Sequence, residues 1–407
     1  MTSVAVGERD AWRVVAGAFA IQFIVGGCGF YAFGVLLKPL AVALSANRFE
    51  ISLAVTIQGV VAAVLGPALG VLLMRHSMRA LMIGGAVVFA AGLFMLAEAQ
   101  SLRDLYVAYG FVVAAGMTIA GPLPCAALVV EWFDERRGMA LGISQLGATF
   151  GGSVFVPLAT WMVDVHGWRA AANLFGALAL LLLPTIMLLT VRRREAASGT
   201  AAPTPAPTLR DMLRQPMFWA IVCVFGFAFA SLFAITQTLH SHVTDIGLST
   251  TTAAAAVAVM TALGAAAKPL FGWLADHVGA KGATWLCLGL QIGGLLGLLG
   301  SDARPAVIAS AAVFGLGYGG IAPLMAMLVS AAFGAHAIAK ALGLLSACLL
   351  PFNLFGFPFA TYMYERSGSY APAFLSFVAL CVLAAAALFA VKTSGVAHAG
   401  ARVTPAV

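Results

Sequence analysis

Charge is what this 407-residue chain has least of: charged residues make up 9% of it and hydrophobic ones 62%, whereas soluble domains carry about 25% charged residues. So few charges cannot cover a water-facing surface, which excludes a soluble enzyme or binding domain. The fifteen acidic residues all fall in loops or near the ends of apolar runs, so the run interiors hold no central carboxylate. Six cysteines, Cys28, Cys125, Cys223, Cys287, Cys348 and Cys381, sit singly inside apolar runs, without the pairing of a disulfide framework or the spacing of a zinc site. The seven histidines are equally scattered, and no nucleophile stands beside a base. Neither a membrane-embedded enzyme, nor a metal, nor a cofactor is expected. Nucleic acid is excluded as a partner, because the net charge of +7 is not gathered on one soluble face.

What the chain does have is long apolar runs. A spanning helix needs about 20 such residues. Twelve runs read as helices at 13–37, 51–74, 79–98, 105–130, 137–163, 170–191, 217–240, 251–275, 283–300, 306–332, 340–363 and 371–391. They are continuous and do not alternate, unlike barrel strands. Of the 22 cations, fifteen lie in the terminal segments and the loops on their side; only Arg48, Arg103, Arg169, Arg304 and Arg366 fall in the opposite loops. Such a bias puts both termini in the cytoplasm and requires an even number of spans. The first run, headed by Trp12 and Arg13, exceeds a signal-peptide core and lacks a cleavage site, so it is expected to remain as helix 1. The expected fold class is therefore an all-α integral membrane protein, multi-pass and surrounded by lipid.

An internal repeat divides the chain. Gly70-Val-Leu-Leu-Met-Arg75-His-Ser-Met-Arg79 after helix 2 returns at an offset of 202 as Gly272-Trp-Leu-Ala-Asp276-His-Val-Gly279-Ala-Lys281 after helix 8. Ala140-Leu141-Gly142 returns at 201 as Ala341-Leu342-Gly343, and Asp164 and Gly167 return as Glu365 and Gly368. Between the copies, residues 192–216 open with Arg192-Arg193-Arg194 and continue as Ala-Ala-Pro-Thr-Pro-Ala-Pro-Thr, a composition of extended, solvated linkers. The pattern predicts an N-terminal six-helix bundle (1–191), a cytoplasmic linker (192–216) and a C-terminal six-helix bundle with a short tail (217–407).

The paired Gly-x-Leu-x-Asp-x-x-Gly-x-Lys/Arg loops, the basic linker and the six-plus-six repeat resemble the major facilitator superfamily over essentially the whole chain. The first loop departs from the pattern, with Met74 for Asp and Ser77 for Gly. The resemblance implies secondary transport by alternating access, by a monomer in a plasma membrane, here a bacterial inner membrane. It also implies that Arg75, Arg79, Asp276, Gly279 and Lys281, with Arg136 and Arg137 before helix 5, gate the cytoplasmic side; shaping of tight turns is the other reading of the same residues. Within the superfamily, Glu131-Trp132-Phe133-Asp134-Glu135-Arg136-Arg137-Gly138-Met139-Ala140-Leu141-Gly142 is similar to the helix-5 signature of monocarboxylate and oxalate-type transporters.

One residue breaks the repeat in a way the scaffold does not require. Lys268-Pro269-x-x-Gly272 corresponds to Gly66-Pro67-x-x-Gly70, and Lys268 stands eight residues before Asp276, about 12 Å up helix 8. A lysine inside the membrane costs about 2.5–3.5 kcal/mol, and no acid lies within helical reach of it, so an anionic ligand is its natural partner; snorkelling to the cytoplasmic surface is the alternative. By resemblance, Lys268 occupies the place of the helix-8 arginine that binds substrate carboxylate. Oxalate-type relatives carry a second cation in helix 11 where Ala347-Cys348-Leu349-Leu350 stands here, so one carboxylate suits this site better than two. Tyr31 and Tyr318 match cavity aromatics of those relatives, and Gln145, Gln237 and Asn353 are further polar residues for the site. Lys38, before Pro39, is expected to snorkel at the outer interface. The expected activity is proton-coupled uptake of small organic anions, foremost monocarboxylates of the lactate and pyruvate kind, with carboxylate exchange or export of small hydrophobic compounds as alternatives. The proton falls on Lys268 itself, whose charge burial makes costly, or on His240 and His242, read as solvated residues near the outer end of helix 7. An epitope placed at either terminus should bind antibody in intact cells only after permeabilisation; binding without it would reverse the topology.

Overall fold

The computed structural model describes residues 2–133, 137–191, 209–300, 302–333 and 338–391. The predicted linker is outside these residues except for its last part, 209–216. Among the described residues, twelve helices are long and apolar enough to cross a membrane, and none of these residues forms a strand. The spans are α1 (Arg9–Ala43), α2 (Arg48–Gly66), α3 (Met78–Ala97), α4 (Leu102–Val129), α5 (Met139–His166), α6 (Trp168–Thr190), α7 (Pro216–Asp245), α8 (Thr250–Ala275), α9 (His277–Gly300), α10 (Arg304–Val329), α11 (Leu344–Ser367) and α12 (Ala371–Ala390). Only helices satisfy every backbone N–H and C=O within one segment, as the bilayer interior demands. Large apolar side chains such as Trp161, Leu181, Leu189 and Phe389 point outward, as lipid-facing residues do.

Both ends of the described chain lie at one face of the bundle, and the face where α1 turns into α2 is opposite them and is called distal. Within the first six spans, α1 packs on α5 and α3 on α6; within the last six, α9 packs on α10 and α7 on α11. Small residues bring these helices together, as in other membrane proteins. On α5, a Cβ at Gly147 or Gly151 would collide with the carbonyl oxygens of Phe19 and Phe23 on α1. Across the halves, α5 meets α8, α2 meets α11, and α1 meets α7.

Backbone geometry follows the sequence repeat. Gly167 ends α5 with φ 83° and its mate Gly368 ends α11 with φ 71°, conformations that glycine adopts without penalty. Gly279, near the start of α9, breaks the helical path coming from α8 with φ 82°. Its counterpart Ser77 turns the chain differently: it stays extended (φ −62°, ψ 116°), and its hydroxyl caps the next helix by accepting from Ala80 N–H. The departure from the loop pattern thus keeps a turn by another device.

Two spans contain a wider helical turn. In α1 the segment Gly27–Tyr31 is π-helical, and in α4 the segment Tyr106–Val113 is too. Such turns insert a residue, shift the facing of those around it and are frequent at functional sites. The α1 segment is locked from behind: the Tyr109 hydroxyl of α4 donates to the Gly29 carbonyl at 2.5 Å. In α4, a Cβ at Gly116 would overlap the Phe89 backbone. Gly116→Leu should therefore lower unfolding stability by about 1–3 kcal/mol or more through overpacking; a melting temperature in detergent equal to wild type would contradict the close approach of α3 and α4.

Candidate functional site

Lys268 sits on α8 and crosses to the other half. Its ammonium donates to the Thr149 hydroxyl at 2.7 Å and to the Gln145 carbonyl at 3.3 Å, both on α5. The ion pairs found among the described residues do not include it, so this cation is held by two neutral oxygens. The Tyr31 hydroxyl, presented by the π-helical turn of α1, faces Thr149 and Tyr318. One helical turn before Lys268, Gly264 leaves room for the Tyr318 ring, which a Cβ there would strike. Buried as it is, the Tyr318 hydroxyl makes no hydrogen bond of ordinary length. Lys268, Tyr31 and Tyr318 therefore converge, with Thr149 at their centre. Thr149 is a residue that sequence patterning does not single out; the signal available was its place one turn beyond Gln145 on the same helix.

The remaining predicted site residues lie elsewhere. Gln145 supplies its backbone carbonyl, and the residue is exposed. The Gln237 amide donates to the Phe30 carbonyl at 3.1 Å, which fixes the amide's orientation and leaves Oε1 buried without a partner. Asn353 Oδ1 is buried and unpartnered as well. Both amides border a crevice beside Phe233 and Leu354. Next to it is a cavity of about 360 Å³ between α1, α2, α4, α7 and α11, walled by Phe30, Gln58, Met117, Phe233 and Asn353 among others. Lys268 does not line this cavity. Phe30 lies between the two regions, its ring edge-on to Tyr31 at 5.2 Å and to Phe233 at 5.5 Å.

Above these residues the distal half of the interface is stitched shut. On α5, Asp164 accepts from Thr250 at 2.6 Å, Thr160 meets His240 Nε2 at 3.2 Å, and Ser153 meets Thr261 at 3.0 Å. On the other side, Thr361 donates to Ser52 at 3.0 Å, and Glu365 accepts the Arg48 backbone N–H at 2.8 Å. Asp245, at the end of α7, pairs with Lys38 at 2.6 Å and with Arg48 at 2.5 Å. The Arg48 guanidinium lies 3.8 Å from the Tyr364 ring centroid and donates to the Tyr370 hydroxyl.

Two expectations change here. Lys38 at the outer end does not stand alone: α1 ends against α7, so the ammonium has a carboxylate and the Thr244 hydroxyl within reach. His240 and His242 are buried, not solvated, because α7 continues to Asp245 and packs both rings between helices. The His242 ring is 4.8 Å from that of Phe374.

Arg79 and Lys281, the equivalent basic residues of the repeated loops, bond within their own halves. Arg79 donates to the Val191 carbonyl at the end of α6, at 2.7 Å, and Lys281 donates to the Val391 carbonyl at the end of α12, at 2.9 Å. Equivalent cations thus cap equivalent helices, whose last carbonyls have no partner in the helix itself. Arg136 lies outside the described residues, as do the side chains of Arg75, Arg137 and Asp276.

Twelve spans in two related sets, with a repeated glycine-basic turn, are matched by a known family: the sequence model of the Major Facilitator Superfamily covers residues 19–348. The chain belongs to that superfamily. As a superfamily member it is a multi-pass membrane transporter and not an enzyme. It is 27% identical to monocarboxylate transporter 11 of Mus musculus, over 92% of this chain and 86% of that one. The fujikurins efflux protein of Gibberella fujikuroi is 27% identical over 67% of this chain and 58% of its own. A bacterial homologue of the human lysosomal transporter Spinster, in an inward-facing and unoccupied conformation, superposes with a TM-score of 0.77 at 16% identity, covering 94% of this chain and 97% of that one. At that identity the likeness is one of fold.

Because Asp245 faces two cations, Asp245→Asn leaves both without their counter-charge, a loss of about 3–5 kcal/mol where such a pair is buried and less where, as here, it is part-exposed. A cysteine at the buried Ser241 should then react faster with a membrane-impermeant maleimide added from the distal side. Unchanged labelling would show that the hydrogen bonds alone keep this end closed.

Proposed function

We propose that this superfamily member transports small organic anions, foremost monocarboxylates, with Lys268 as the charge that recognises the carboxylate. The observation that carries this reading is the Lys268 ammonium bridging α8 to α5 with only neutral oxygens as partners. A partly buried cation with no counter-ion among the described residues is a site for one, and Thr149, Tyr31 and Tyr318 supply hydroxyl donors to the same place. Resemblance to a monocarboxylate transporter along most of both chains supports the substrate class.

Movement follows from where the bonds lie. With both termini in the cytoplasm, the distal closure is the outer gate, and residues 1–191 and 217–407 rock as two bundles joined by the 192–216 linker. An anion reaching Lys268 from the terminal side competes with the Thr149 and Gln145 oxygens, loosening the α5–α8 contact. Arg79 and Lys281 hold the ends of α6 and α12, keeping each bundle rigid as it moves. Proton coupling assigns the proton to Lys268. The protein acts as a monomeric symporter of a plasma membrane, a bacterial inner membrane. Export of small hydrophobic compounds is the second reading, favoured by the apolar walls of the 360 Å³ cavity and by the resemblance to an efflux protein.

Uptake of a labelled panel of monocarboxylates by the purified protein in liposomes tests the proposal. Wild type should show saturable uptake, accelerated by an inward proton gradient; Lys268→Ala should lower kcat/KM by about 100-fold or more, a charge-assisted hydrogen bond being worth roughly 3 kcal/mol. Lys268→Arg should restore part of it. Uptake surviving in Lys268→Ala would remove the lysine from the site.

A further inference from the structure

The polar cluster and the apolar cavity are the two copies of one place in the fold. Lys268 has as its mate Gly66, fixed by the Pro269/Pro67 and Gly272/Gly70 matches. Thr149 has Leu350, in the register set by Ala140-Leu141-Gly142 and Ala341-Leu342-Gly343. Tyr318 has Met117, in the register set by Gly317 and Gly116, each of which packs against the preceding helix of its own half. Gly66, Leu350 and Met117 all line the 360 Å³ cavity. Where one half offers an ammonium, a hydroxyl and a phenol, the other offers a glycine, a leucine and a methionine. The cavity is open where the second cation would stand: a Cβ on Gly66 meets nothing within 4 Å.

Resting on the reading of Lys268 as carboxylate anchor, we propose that this cavity is the subsite for the substrate's body, so that the substrates are amphipathic monocarboxylates with an aromatic body and a hydrogen-bond donor at its far end. Volume supports this, since cavities of about 300–1,000 Å³ hold drug-sized ligands and a three-carbon acid would leave most of this one unfilled. Chemistry supports it too. Phe30, Phe233, Met117, Leu350 and Leu354 form the walls, and sulfur and ring edges favour an aromatic guest. At the α7–α11 side Asn353 Oδ1 stands at the cavity wall and Gln237 Oε1 in the crevice beside it, two buried amide oxygens without donors among the described residues. An unpaired buried acceptor is costly, and a phenolic O–H or indole N–H on the guest satisfies it. Phe30, in ring contact with both Tyr31 and Phe233, stands at the boundary between the carboxylate site and the cavity.

The test compares labelled 4-hydroxyphenylacetate, phenylacetate and lactate in liposomes containing the full-length protein. Wild type should take up 4-hydroxyphenylacetate with kcat/KM at least about 10-fold above lactate, since apolar pockets discriminate by that order. Gly66→Leu and, separately, Ala62→Phe should fill the cavity and lower the ratio of 4-hydroxyphenylacetate to lactate by about 10-fold. Asn353→Leu should narrow the gap between the hydroxylated and the plain aromatic acid. Lactate preferred by wild type, or a ratio indifferent to both filling substitutions, would overturn the subsite. Failure of the underlying reading is seen elsewhere, as uptake of all three acids that persists in Lys268→Ala.

Discussion

The Asp245 carboxylate, gripped by Lys38 and Arg48, joins the two halves at the distal end and is the charged tie around which the other distal contacts gather. Around it the interface is polar: threonines, serines and His240 answer one another across α5, α7 and α8. Below it, among the described residues, the cross-bonds end at Thr149 and Gln145, where the candidate site begins. A rigid-body switch needs two faces that can trade closure. Here one is built from charges and aromatic rings; the other, on the proposed reading, is a basic residue's bond to neutral oxygens, which an incoming anion would displace.

Repeat symmetry supplies the scaffold and its violation supplies the chemistry. Matching positions do the same structural work in both halves: Gly167 and Gly368 turn the chain, and Arg79 and Lys281 cap α6 and α12. At the centre the mates diverge, with Lys268 answered by Gly66 and Thr149 by Leu350. Two copies of a cation would repel one another and bind a dianion; two copies of a void would bind nothing charged. One of each is what the proposed amphipathic guest, charged at one end and apolar at the other, would require.

Much of the fold is legible in the sequence because the bilayer leaves the chain so few options. The twelve runs, the repeat and the glycine turns follow from hydropathy and spacing, and the structure departs only at their ends, as when α1 begins earlier and runs on to Ala43 and α7 to Asp245. Lys268 was visible as a lone charge in an apolar run. Its partner Thr149 was not, because a threonine in a membrane helix ordinarily bonds its own backbone, as Thr160 and Thr238 do. Lys38 misled for the opposite reason: its counter-ion is 207 residues away in Asp245, a distance no local pattern spans. The π-helical turn that aims Tyr31 depends on how α1 packs against α4 and α5, which no periodicity encodes.

A cation held by neutral oxygens also has an electrical side. The membrane potential acts on net charge, at about 2.3 kcal/mol per elementary charge per 100 mV. With the coupled proton on Lys268, as proposed, the loaded carrier pairs one positive with one negative charge, and the empty carrier, having released both proton and anion, returns with a neutral lysine. Voltage would then press on neither step, and accumulation would follow the pH difference across the membrane rather than its potential.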